Sequence, residues 1–115
     1  MPALSIAIDT DAEPLVVRLD GALDLETVDE LYAAAERLPA GRSVTYDLRG
    51  LTFADSSALH AIGDFDERAR DAGTNVRFVV SNPTLLKAFD VVGYLGRLNI
   101  EQVTASPADA DTLDL

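Results

Sequence analysis

Asp55-Ser56-Ser57 is the part of this sequence that comes nearest to chemistry. The triplet follows an alternating apolar stretch and precedes a segment with helical spacing, so its two hydroxyls belong to a helix start. Unpaired backbone amides and the helix dipole favour negative charge at such a point, and a phosphate carried on serine would be solvated there by the protein itself. Serine and aspartate are also the commonest N-caps, and taken alone the three residues read as a cap. His60, the single histidine, stands four residues beyond Ser56 on the same helical face, and Asp64 follows after four more. That line has the composition of a nucleophile, a base and an orienting acid. A hydrolytic triad, however, needs the two imidazole nitrogens aimed at different partners beside a separate oxyanion site, which side chains stacked along one helix do not offer. The G-x-S-x-G elbow is absent as well, so no catalytic residue is expected.

The elements that must position this triplet follow from periodicity. Leu4, Ile6 and Ile8 alternate with Ser5, Ala7 and Asp9, and Leu15, Val17 and Leu19 alternate again after a charged break, predicting a β-hairpin. Leu25, Val28, Leu31, Tyr32, Ala35 and Leu38 then recur at three- and four-residue intervals, predicting a helix with Asp24 at its first turn and Pro39 and Gly41 at its end. Ser43 to Leu48 reads as a strand and Arg49 to Ala54 as a short linker. The helix begun at Asp55 carries Ala58, Ala61, Ile62, Phe65 and Ala69 as its apolar stripe, with Gly73 as a left-handed C-terminal cap. Val76 to Val80 is a nearly unbroken apolar run, predicting a central strand covered on both faces. Asn82 and Pro83 open a third helix, which buries Leu85, Leu86 and Phe89 and ends near Gly93. A last short strand is expected around residues 99–104. The order β-β-α-β-α-β-α-β predicts an α/β domain with a mixed sheet and helices packed against it, over residues 1–105. Residues 106–115, SPADADTLDL, read as an acidic tail or one more short helix.

Composition bounds the partners. A length of 115 residues supports one domain, and 48% hydrophobic with 25% charged residues matches a folded globular chain. Nine basic against twenty acidic side chains give 9 − 20 = −11, which opposes a direct grip on nucleic-acid phosphates or an anionic membrane. There is no cysteine, hence no disulfide or thiolate site, and neither a signal-peptide pattern nor a run of about 20 apolar residues is present. A cytoplasmic location is the expectation. Asp47, at the predicted end of a strand, suggests a phospho-acceptor receiver domain. The acidic pair after the first strand and the lysine after the last strand are missing, however, and the only lysine, Lys87, falls inside the third helix. The carboxylate runs Asp9/Asp11/Glu13 and Asp109/Asp111/Asp114 lack the glycine and twelfth-position glutamate of a calcium loop. They read as solvated acidic segments, and no metal or cofactor is expected.

In order and spacing the chain resembles the STAS domains, and in particular the anti-sigma factor antagonists. The resemblance spans residues 4–104 and rests on the opening hairpin, Gly21-Ala22-Leu23-Asp24, Asp47-Leu48, Asp55-Ser56-Ser57 and Val92-Gly93. It implies a STAS-like mixed sheet and an anti-sigma factor with serine kinase activity as partner. It also implies phosphorylation of Ser56 as the off-switch and a phosphatase to reverse it. Asp24, Asp55, Ser56, Ser57 and His60 are then the expected partner-binding residues. Where the family often has glycine after the second serine and a small residue two positions on, this chain has Ala58 and His60, and His60 lines the surface presenting Ser56. The same fold also serves as a subunit of transporter complexes or as a scaffold in stress signalling, which is the alternative reading.

Overall fold

The computed structural model describes residues 3–103. Five strands and three helices alternate after an opening hairpin: β1 (Leu4–Asp9), β2 (Leu15–Leu23), α1 (Val28–Glu36), β3 (Val44–Ala54), α2 (Ser56–Ala72), β4 (Val76–Val80), α3 (Pro83–Val91) and β5 (Ile100–Gln102). The sheet order is β1-β2-β3-β4-β5, with β1 antiparallel to β2 and every other pair parallel. Each crossover therefore moves one strand in the same direction. Right-handed connections of that kind place all three helices on one face of the sheet.

The side-chain register agrees with this. Leu15, Val17 and Leu19 of β2, Val44, Tyr46 and Leu48 of β3, and Val76, Phe78 and Val80 of β4 join Leu31, Ile62, Phe65, Leu85 and Phe89 of the helices in one core. Phe65, Tyr46 and Phe78 stack in sequence at centroid distances of 5.2 and 5.6 Å, and burial pushes the Tyr46 hydroxyl up to about 12. The intervening residues face the other way and, Val16 and Val79 apart, are polar in these stretches. On that open face Asp47 accepts from Arg49 Nε at 2.9 Å and Nη2 at 2.8 Å and from Arg18 Nε at 3.4 Å, while Arg77 pairs with Glu101 at 2.8 Å.

Two expectations are corrected here. The strand after Ser43 does not stop at Leu48: Arg49 to Ala54, read as a linker, continue β3. Their alternation is masked because Arg49 and Thr52 are exposed and Gly50 lies against the Asp20 side chain. Asp47 is consequently a mid-strand residue and does not stand beside the serine triplet. The central strand is β3, not β4. The unbroken apolar run of β4 arises because Val79 is buried on the open face, where it pairs with Asp47 on one side and Glu101 on the other. The α2 cap, Gly73 in a left-handed conformation and Pro83 at the start of α3 stand as expected. The C-terminal segment 106–115 lies outside the described residues.

Candidate functional site

The long β3 delivers the serine triplet. β4 pairs only with Val44–Asp47, whereas the second half of β3 runs on beside β2, with Leu51 opposite Gly21, Phe53 opposite Ala22 and Ala54 opposite Leu23. The chain thus reaches Asp55 next to the turn that leaves β2. Asp55 caps α2: its Oδ1 accepts from the Ser57 amide at 2.9 Å and the Ala58 amide at 3.2 Å. Its other oxygen reaches across to the Leu25 amide at 3.2 Å, a link over 30 residues of sequence. One carboxylate therefore sets the start of α2 and fixes the neighbouring loop.

That loop is built by Gly21, Asp24 and Thr27. Gly21 has φ +104°, and a Cβ there would strike the Ala3 carbonyl of β1's leading residue, so only glycine fits the bend. Asp24 Oδ1 accepts from the Glu26 and Thr27 amides at 3.0 and 3.1 Å, while Thr27 Oγ1 accepts from the Asp24 amide at 3.0 Å. This reciprocal pair has the form of a capping box. It closes a turn over residues 25–27, and α1 itself begins at Val28, with Thr27 as a cap that makes no side-chain bond to it. Asp24 caps the turn before the helix, one step earlier than expected.

Leu25 is corrected for the same reason. It was expected on the apolar stripe of α1, but the preceding turn throws it out of phase and leaves it 74% exposed. Phe53, two residues before Asp55, is 54% exposed. Ser56, the first residue of α2, is exposed, Ser57 is half-buried and His60 is exposed one turn along. Exposed Ser56, Leu25, Phe53 and His60 are carried by segments at or next to the ends of β2 and β3, joined there by the Asp55–Leu25 bond. Asp24, Asp55, Ser56, Ser57 and His60 are thus all carried by this corner of the fold.

Residues 6–100 match the family model described as Mlab, STAS domain. The chain belongs to the STAS domain family. Among solved structures, it is similar to an anti-sigma factor antagonist from Mycobacterium paratuberculosis, at 18% identity and a TM-score of 0.73 over 96% of this chain and 92% of the other. It is also similar to the anti-sigma factor antagonist SpoIIAA in its unphosphorylated form, at 16% identity and a TM-score of 0.62 over 94% and 96%. An uncharacterized Shewanella loihica protein with a SpoIIAA-like fold superimposes with a TM-score of 0.55 at 13% identity, over 98% and 95% of the two chains. These likenesses establish a SpoIIAA-like fold for this STAS domain.

The electrostatics at the start of α2 differ from the expectation that free amides await a phosphate. The Ser57 and Ala58 amides are already taken by Asp55, and the Leu59 amide donates to the Asp55 carbonyl at 3.2 Å. Asp64 has also left the Ser56–His60 line: it accepts from the Tyr32 hydroxyl at 3.1 Å and pairs with Arg68 at 3.2 Å, tying α2 to α1.

Sequence reasoning missed four contributors. Thr27, 8% exposed, is the second half of the turn lock, and its signal was the Asp-x-x-Thr spacing. Leu25 was hidden by apolar patterning, which does not distinguish a buried from a presented side chain, and Phe53 by the reading of Arg49 to Ala54 as a linker. Tyr94, after α3, donates to the Leu59 carbonyl at 2.8 Å, and its hydroxyl lies 2.5 Å from where a Cβ on Gly63 would be. Gly63 is therefore the opening that lets the post-α3 loop brace α2 below the site.

Proposed function

We propose that this STAS domain is an anti-sigma factor antagonist. Its job is binding: the corner presenting Ser56 docks on an anti-sigma factor with serine kinase activity and displaces the sigma factor it holds. The observation that carries the reading is the exposed Ser56 hydroxyl at the first position of α2, beside exposed Leu25 and Phe53. Apolar anchors around a polar centre suit a protein interface. Phosphorylation of Ser56 adds about 1.5 to 2 negative charges and three acceptor oxygens. It would do so next to Asp55, in a chain whose formal charge is already −11. With the Ser57, Ala58 and Leu59 amides occupied, the phosphate projects into the space the partner would fill, and binding is lost without refolding. ATP and magnesium belong to the kinase, and a phosphatase restores the binding form.

The test is partner affinity. Ser56→Ala should bind a cognate anti-sigma factor as the parent does and resist inactivation, while Ser56→Glu should fold normally and bind at least tenfold more weakly. Equal binding by the Glu variant refutes electrostatic exclusion. Recovery of a transporter ATPase in place of an anti-sigma factor, when the domain is used as bait, would reassign it to a transporter complex.

A further inference from the structure

His60 follows Ser56 by four residues on α2, and both are exposed. That spacing puts two helical side chains on one face, with Cβ atoms about 5–6 Å apart. Helical Cα–Cβ bonds tilt toward the N-terminus, which carries the imidazole back over the first turn, where Ser56 stands. An acidic group one turn ahead of a basic one is also the favourable order along a helix.

The corner offers a negative group on Ser56 little else. The two segments that meet there, residues 19–36 and 50–67, contain no lysine or arginine and hold half of the chain's acidic residues. Arg18 and Arg49, just outside them, bond Asp47 on the open face of the sheet, and Arg68 pairs with Asp64 further along α2. The charged residues of α3 are Lys87 and Asp90, and Arg97 in the loop beyond lies 5.8 Å from the centre of the Tyr94 ring. The Asp55 carboxylate already occupies the Ser57 and Ala58 amides. His60 itself is uncommitted: no hydrogen bond or ion pair joins it to another described residue.

We propose that His60 is the intramolecular partner of a phosphate on Ser56, its imidazolium donating to a phosphoryl oxygen one turn away. The pair removes the serine hydroxyl and the imidazole from the docking face together. This rests on the reading of Ser56 as the modified residue and adds how the off-state is held. Phosphoserine loses its second proton near pH 6 and imidazole changes charge between about pH 5 and 8, so each group reports on the other.

The test needs no kinase. The intact chain, with phosphoserine placed at position 56 during synthesis, is titrated beside the unmodified chain, following the ring resonances of its single histidine and the phosphorus resonance. The His60 midpoint should lie at least about half a pH unit higher in the phosphorylated chain, the order expected for a dianion beside a cation in salt water. His60→Gln should raise the phosphate midpoint by a similar amount, and Lys87→Gln should move neither. In the double variant His60→Gln with Glu67→His, the imidazole stands about 16 Å from Ser56 along the helix, and phosphorylation should shift its midpoint less than half as far. A His60 midpoint indifferent to phosphorylation, a phosphate midpoint indifferent to His60→Gln, an equal effect of Lys87→Gln, or an equal shift for the distant imidazole would each overturn the pairing. None of these outcomes bears on whether the corner docks an anti-sigma factor, which the affinities of the Ser56→Ala and Ser56→Glu variants decide.

Discussion

Replacing Asp55 by alanine should uncouple two elements at once, because its carboxylate holds the first turn of α2 with one oxygen and the Leu25 amide with the other. Loss of an aspartate N-cap costs about 1 kcal/mol, within a range of about 0.5–2. The Leu25 amide is exposed and finds water when released, so its bond adds only a fraction of that value. A total of about 1–2 kcal/mol corresponds to a fall in thermal midpoint of roughly 4–12 °C for a domain of this size. Asp55→Asn preserves capping and should recover most of the loss. Asp55→Ser separates the two roles: a hydroxyl caps its own helix but is too short to span to the loop as well. Thermal unfolding by circular dichroism gives the stabilities, and amide hydrogen exchange reads the loop. In the Ser variant the Leu25 amide should exchange faster while the first-turn amides of α2 keep their protection. An Ala variant with an unchanged midpoint, or a Ser variant with parental exchange at Leu25, would refute the reasoning.

Two further outcomes follow from the same geometry. The Arg49 guanidinium beside Asp47 holds its carboxyl below the ordinary carboxylate range, against burial that pushes it up. A lowered folded-state pKa means stability that is present above the unfolded value of about 3.9 and lost as pH falls through the folded value. The stability advantage of the parent over Asp47→Asn should therefore be constant from neutral pH to about 5 and shrink below about 4; an advantage that grows on acidification contradicts the assignment. Leu25→Ala with Phe53→Ala should leave the thermal midpoint within about 3 °C, since both side chains are mostly exposed, yet weaken partner binding tenfold or more. Parental affinity measured calorimetrically for that double variant would remove the apolar anchors from the interface.

The sequence made the hairpin, the three helices and the α2 cap legible because each depends on local signals: alternation, helical spacing, N-cap residues, a glycine stop at Gly73 and a proline start at Pro83. It misjudged what depends on pairing across the sheet. The second half of β3 lost its pattern because half of its residues face an uncovered side, and β4 looked central because Val79 is sheltered there by its neighbours. The Asp55 and Asp24 locks were legible as caps, but the bond from Asp55 to Leu25 joins segments 30 residues apart and leaves no local trace. Exposure of Leu25 was illegible for a related reason: a presented anchor and a core residue have the same composition, and only tertiary phase tells them apart; Phe53 was overlooked with the rest of the segment read as a linker.

The central claim is that one exposed serine is the switch, and site-resolved phosphorylation tests it most directly. Ser56 and Ser57 are adjacent, but successive helical side chains turn by about 100°, and here Ser56 is exposed while Ser57 is half-buried with its amide bonded to Asp55. The intact chain, incubated with a cognate anti-sigma kinase and ATP and then fragmented in a mass spectrometer, should carry a single phosphate on Ser56, and the Ser56→Ala variant should carry none. A phosphate confined to Ser57, or no phosphate on a chain that nevertheless binds the kinase, would contradict the account.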